Sequence, residues 1–136
     1  MKKLIKKVSI NTIYDQLLDH AKSNKMGDII TWLELAKKFD GTVDLAEMDP
    51  SENTAWVKYP FVLAIMFMMK KNLSYSQAIR ETLMYAGDTC VNAMMVGAIM
   101  GARLGLDHLP TEPIYNIENC DMTKYKGDGS SRPDVL

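Results

Sequence analysis

The chain has 136 residues, enough for one domain with a real hydrophobic core. Its formal net charge is −1, so no global electrostatic argument points to nucleic acid. Its charged and apolar fractions are those of an ordinary globular protein, and the longest apolar run, residues 61–69, is far short of the ~20 residues that a membrane span requires.

The start, Met1-Lys2-Lys3-Leu4-Ile5-Lys6-Lys7, is basic and partly apolar but is followed by no cleavable apolar core. It could pass for a weak targeting or membrane-surface element but reads better as a solvated strand or a frayed terminus; with two cysteines expected to be reduced, an intracellular, cytoplasmic location is the default, with an organelle left open. The first helix is expected over 12–22, with Thr12 and Asp15 as a capping box and Tyr14, Leu17, Leu18 and Ala21 as its apolar stripe. A second is expected over 28–39, capped by Asp28, with Ile29, Trp32, Leu33 and Ala36 facing inward and Gly41 beyond its end. Residues 41–55 form an acidic loop through Asp44, Glu47, Asp49 and Glu52, without the spacing of a calcium-binding loop.

A third helix, over 60–72, is apolar on all sides and so should be enclosed by neighbours. The fourth, over 75–86, opens on a Ser74/Gln77 capping box and carries Ile79, Thr82, Leu83 and Ala86 at helical period. Gly87 ends it, because glycine tolerates the left-handed conformation that closes a helix. Asp88 and Thr89 can each cap the fifth helix, expected over 89–104 with Gly105 just past its end. An acidic residue at the mouth of that helix suits a metal or a phosphate-bearing ligand, but capping alone explains it and is the favoured reading. Ala93, Gly97 and Gly101 recur every four residues and so share one helical face. Mid-helix glycine costs about 1 kcal/mol relative to alanine, so this face is expected to pack closely against another helix, the apolar one around Ile65, or against a partner chain. After Pro110 the sequence is polar and rich in helix breakers, so residues 111–136 are expected to be an extended or poorly ordered tail on a helical domain of residues 1–110. With no alternating strand pattern, the fold class is all-α.

Cys90 and Cys120 are the only cysteines, and reduced thiols are expected of them. Cys90 reads as a small buried apolar residue: a thiol nucleophile wants a histidine within reach, and His108 lies on the order of 20 Å away at the far end of the same helix. His20 and His108 lack the spacing of a zinc site. The 11 methionines suit irregular core packing, and some suit adaptable interfaces.

The stretch 86–110, with Gly87-Asp88-Thr89, Asn92-Ala93, Gly97-Ala98, Gly101-Ala102, Gly105 and Leu109-Pro110, resembles the C-terminal signature of the ADP-ribosylglycohydrolases. Upstream, Trp56, Phe61, Ala64, Ser74-Tyr75 and Ala78 are similar to the same family's pattern, so the resemblance covers about half the chain, 56–110. It implies a helical bundle and a pair of divalent metals held by an acidic D-x-D-T motif. Asp88 occupies the first aspartate position of that motif, but Cys90 stands at the second and Val91 replaces the threonine. A thiol is a soft ligand and valine offers none, whereas magnesium wants oxygen. The family's other ligands lie in a G-D-A-x-G loop and a T-D-D-T motif. Here Gly27-Asp28 is followed by Ile29-Ile30, and Asp44 has no adjacent aspartate. By analogy Asn92 orients a ribose, and a capping or surface role serves it as well.

The resemblance therefore implies a degenerate, non-catalytic relative, with no cofactor, acting as a structural or accessory subunit of a larger assembly. The crystallins of this family are its precedent for a non-enzymatic role. The partner is protein, in a hetero-assembly or a homo-oligomer, because a family core without its other half exposes apolar surface. The alternative is the C-terminal half of a split ADP-ribosylglycohydrolase, completed by another chain and using magnesium or manganese. A small autonomous helical binding module ranks behind both.

Overall fold

The computed structural model describes residues 8–38 and 56–120, and every regular element among them is helical. The order is α1 (Ile10–Ser23), α2 (Gly27–Lys38), α3 (Lys58–Met69), α4 (Tyr75–Met84), α5 (Thr89–Leu104), a 3-10 turn (Leu106–His108) and α6 (Thr111–Glu118). None of these helices is long and apolar enough to cross a membrane. Gly41 and the acidic loop lie outside the described residues, as do the basic start and most of the tail.

The first helix starts earlier than its sequence suggests. Ser9, not Thr12, is the cap, its hydroxyl accepting from the Thr12 N–H at 3.1 Å. Tyr14 and Ala21 form the buried side of α1, and Tyr14 donates its hydroxyl to the Leu33 carbonyl at 3.1 Å, tying α1 to α2. Leu17, expected in the stripe, is exposed. Lys25, at φ +55°, turns the chain between the two helices, and α2 begins at Gly27, one residue before the expected cap.

α3 is the centre of the bundle. It packs against α5 on one side and α2 on the other and touches α1, and every residue from Val62 to Met68 is buried. Apart from Ala64, each of these side chains contributes about 1.5–3 kcal/mol through its removal from water. The helix stops at Met69 rather than Asn72 because Lys70 is extended and Asn72 sits at φ +56°, a conformation that asparagine tolerates better than most residues. Its C-terminal carbonyls are capped from another helix: Arg103 of α5 donates Nη1 to the carbonyls of Phe67 at 3.1 Å and Lys70 at 2.6 Å. The Lys70–Glu81 ion pair, at 3.0 Å, ties the same corner to α4.

At α4 the expected capping box is present in both directions, the Ser74 hydroxyl accepting from the Gln77 N–H and the Gln77 side chain from the Ser74 N–H. The chain then reverses through two left-handed residues, Ala86 at φ +60° and Gly87 at φ +69°, so α4 ends at Met84 and not at Ala86. α5 has the expected bounds. The expectation of an extended or poorly ordered stretch directly after Pro110 fails, since Thr111–Glu118 is helical. Pro113, which reads as a breaker, stands in the first turn, where its missing N–H has no intrahelical acceptor to lose. No residue of α6 is buried, and Tyr115 and Ile117 are 65% and 77% exposed.

Candidate functional site

The left-handed turn at Ala86–Gly87 delivers Asp88 to the mouth of α5. One oxygen of its carboxylate, Oδ1, accepts from the Val91 N–H at 3.1 Å, and its main-chain carbonyl accepts from the Asn92 N–H at 2.9 Å. The Thr89 N–H is taken by the Gly87 carbonyl at 2.9 Å. Asp88 thus works as the helix cap, an anion held where the positive end of the helix dipole favours it. It stands half-buried beside the half-buried Thr89.

Cys90 is exposed, not buried as its apolar character suggested. The buried face of α5 runs through Asn92, Val96, Gly97 and Met100, and Cys90 falls outside it. Val91 is 40% exposed. The position that matches the second aspartate of the family motif is therefore a solvent-facing thiol, and the next is an aliphatic side chain without a donor. Among the described residues no group of three or more His, Cys, Asp or Glu side chains is close enough to hold a metal ion. One carboxylate, already engaged as a cap, beside a soft thiol does not fit a hard dication that takes 6 or more oxygens at roughly 2.0–2.6 Å.

Asn92 lies inside the bundle, 1% exposed. Its Nδ2 donates to the Ala86 carbonyl at 3.3 Å and so braces the left-handed turn that positions Asp88. Its Oδ1 is buried with no hydrogen-bond donor among the described residues. An unpaired buried carbonyl costs about 1–3 kcal/mol.

The small-residue face has a different neighbour from the one expected. A Cβ added at Gly97 would stand 2.8 Å from the Tyr75 hydroxyl and 3.4 Å from Cδ1 of Ile79, both on α4. At Gly101 it would meet only Leu109 and Tyr75, each at 4.0 Å. The close approach is to side chains of α4, not to the helix around Ile65. The reason is the rotation of α5: the side bearing Arg103 reaches α3, which leaves the glycine side for α4. Ala93, on the same stripe, is half-buried.

The outward side of α5 is the feature that pattern reading missed. Val91, Met94, Met95, Ala98 and Ala102 are all exposed, Met94 by 64%, and none is polar. A surface helix ordinarily carries polar residues on that side. The signal lay in the sequence, in apolar residues at 91, 94, 95, 98 and 102, but the glycine stripe on another face of the same helix obscured it. The only charged residue of α5, Arg103, turns its guanidinium inward onto α3. Leu83 and Met84, at the end of α4, are 48% and 82% exposed.

Among the described residues, Tyr14 and Tyr85 carry a shifted acidity. Burial raises both phenols above their ordinary value, with Glu34 and then Asp15 adding to the effect at Tyr14 and Glu81 at Tyr85.

No curated protein and no solved structure matches the chain in comparison. The family model described as ADP-ribosylglycohydrolase matches residues 2–128, well beyond the stretch 56–110 whose motifs carry the resemblance. The match takes in α1 and α2 as well as α3 to α6, and the chain belongs to the ADP-ribosylglycohydrolase family.

Proposed function

We propose that this chain is a non-catalytic member of its family that acts as a structural or accessory subunit of a larger assembly. The observation that carries this reading is the donor set at the mouth of α5. Asp88 brings a single carboxylate whose Oδ1 caps the helix, Cys90 is an exposed thiol and Val91 has no oxygen to offer. Metal-assisted attack on a glycosidic bond needs a fixed cation to generate or orient the nucleophile, and this half of the motif does not supply the oxygens for one. The uncharged outer side of α5 supports the assembly role, since exposed apolar patches of this kind mark interaction surfaces. The net charge of −1 argues for a protein partner over nucleic acid, and the cytoplasm is the compartment that a chain with only two cysteines, too few for a disulfide framework, favours.

A calorimetric manganese titration tests the reading. No binding tighter than the millimolar range is expected, in the parent or in Asp88→Asn. Micromolar binding that disappears in Asp88→Asn would overturn it and favour the half-enzyme, with Asp88 as a ligand and a second chain bringing the rest.

A further inference from the structure

We infer that the turn between α4 and α5 is a two-state latch. In the closed state Asn92 clasps Ala86 in its left-handed conformation. In the open state α4 lengthens through Ala86 while α5 gives up its first turn.

Two local costs meet at this turn. Ala86 sits at φ +60°, a conformation in which a Cβ crowds the backbone, and Gly87 follows at φ +69°. What holds Ala86 there is the Asn92 side chain, whose Nδ2 donates to the Ala86 carbonyl at 3.3 Å, a long bond. The same amide has its Oδ1 buried without a donor among the described residues, where buried polar atoms are ordinarily paired. One movement relieves both costs. Once Ala86 turns to negative φ, its carbonyl leaves Nδ2, and the released amide can reach water. Residues in sparsely populated conformations persist only where their surroundings hold them, and they gather in segments that switch.

The open state has a definite structure. Alanine is the strongest helix former, and the helical period of α4 runs on in the sequence through Ile79, Thr82, Leu83 and Ala86. Tyr85, the residue that caps α4, is still in the right-handed helical region, so rotation at Ala86 continues the helix. Only residues 85–88 separate the two helices, so lengthening α4 draws chain from the first turn of α5. Little burial is lost there, because Thr89 is half-buried and Cys90 and Val91 are exposed. The Asp88 cap on the Val91 N–H and the bond from the Asn92 N–H to the Asp88 carbonyl break. New bonds from the Ala86 and Gly87 N–H groups to the Thr82 and Leu83 carbonyls replace them. The contact of Gly97 with Tyr75, at the other end of α4, is untouched. The latch thus decides whether Asn92 is held inside the bundle with Asp88 on its cap, or both side chains stand in water at the mouth of α5.

Hydrogen exchange on the full chain, followed by nuclear magnetic resonance, tests the latch. The Asn92 Nδ2 protons are buried and exchange only when the clasp opens. They are expected to exchange by local opening, insensitive to low urea and at least about tenfold less protected than the amides of Leu63 and Phe67 in the core of α3. Ala86→Gly removes the crowding of the closed state and weakens the lengthened helix of the open one. It should slow exchange at Asn92 by about thirtyfold, against no more than about fivefold at Leu63 and Phe67. Gly87→Ala, at a left-handed position, should act the opposite way and speed exchange at Asn92 by at least about tenfold. Nδ2 protons that exchange together with the α3 amides, with the same urea dependence, overturn the inference. So does Ala86→Gly slowing the two sites equally or leaving Asn92 unchanged, and so does Gly87→Ala without effect at Asn92.

Discussion

Gly97 and Tyr75 should be energetically coupled, and the sign of the Gly97→Ala effect should depend on one oxygen atom. Replacing a mid-helix glycine by alanine contributes about 1 kcal/mol of helix propensity. Against it stands the new Cβ, which would sit 2.8 Å from the Tyr75 hydroxyl, about 0.6 Å inside the closest ordinary contact. Tyr75 is half-buried in the first turn of α4, so the oxygen can withdraw only by tilting a ring packed against the core. Overpacking of this kind costs about 1–3 kcal/mol. Gly97→Ala should therefore be neutral to destabilising by about 2 kcal/mol in the parent. In Tyr75→Phe the offending oxygen is gone, and the nearest ring atom, Cζ, stands at an acceptable 3.7 Å with Ile79 at 3.4 Å. There the same alanine should stabilise by close to the full ~1 kcal/mol. Urea unfolding of the four proteins in the double-mutant cycle should yield a coupling energy of at least about 1 kcal/mol. Gly97→Leu should destabilise in both backgrounds, since its branches reach Ile79 as well. If Gly97→Ala has the same effect with and without the Tyr75 hydroxyl, within about 0.3 kcal/mol, the contact does not exist and the packing of α4 on α5 is misassigned.

Other consequences follow from single residues. Ala86 is held at φ +60°, where a Cβ costs roughly 1–2 kcal/mol, so Ala86→Gly should raise stability by about 0.5–1 kcal/mol after the added freedom of the unfolded chain is subtracted. A lower melting temperature in that variant would contradict the left-handed turn. The raised phenol of Tyr14 gives a signed pH dependence. Its contribution is intact below the ordinary value of 10.0 and is lost as pH climbs from there through the higher folded value, because the unfolded chain ionises first. Tyr14→Phe should lose about 0.5–1.5 kcal/mol at neutral pH with the hydrogen bond to Leu33, yet show a shallower decline above pH 10. An identical alkaline slope in parent and variant would place the phenol in solvent.

The parts of the fold that were legible in the sequence are those where local chemistry and tertiary context agree. α5 has its expected bounds because Gly87, Asp88 and Gly105 punctuate it with residues whose roles do not depend on neighbours. The Ser74/Gln77 box fixed the start of α4 for the same reason, and the all-round apolar character of α3 announced its enclosure. What failed depended on context. Pro113 stops a helix in its interior but is accommodated in a first turn, and nothing local says which turn it occupies. The Ala93, Gly97, Gly101 spacing reports that something comes close, yet the rotation of α5 that hands this face to Tyr75 is set by Arg103 reaching α3. Cys90 looked apolar enough to bury, and that same rotation left it outside. The family was legible from the motifs of 56–110, whereas α1 and α2 carry none of the motif residues and joined it only through the family match.

The claim that this family member does not catalyse its family's hydrolysis is met most directly by assaying release of ADP-ribose from ADP-ribosylated arginine by the purified chain, with magnesium or manganese present. Release at the protein-free rate, unchanged by Asp88→Ala, is expected. Release above that rate which vanishes in Asp88→Ala would contradict it.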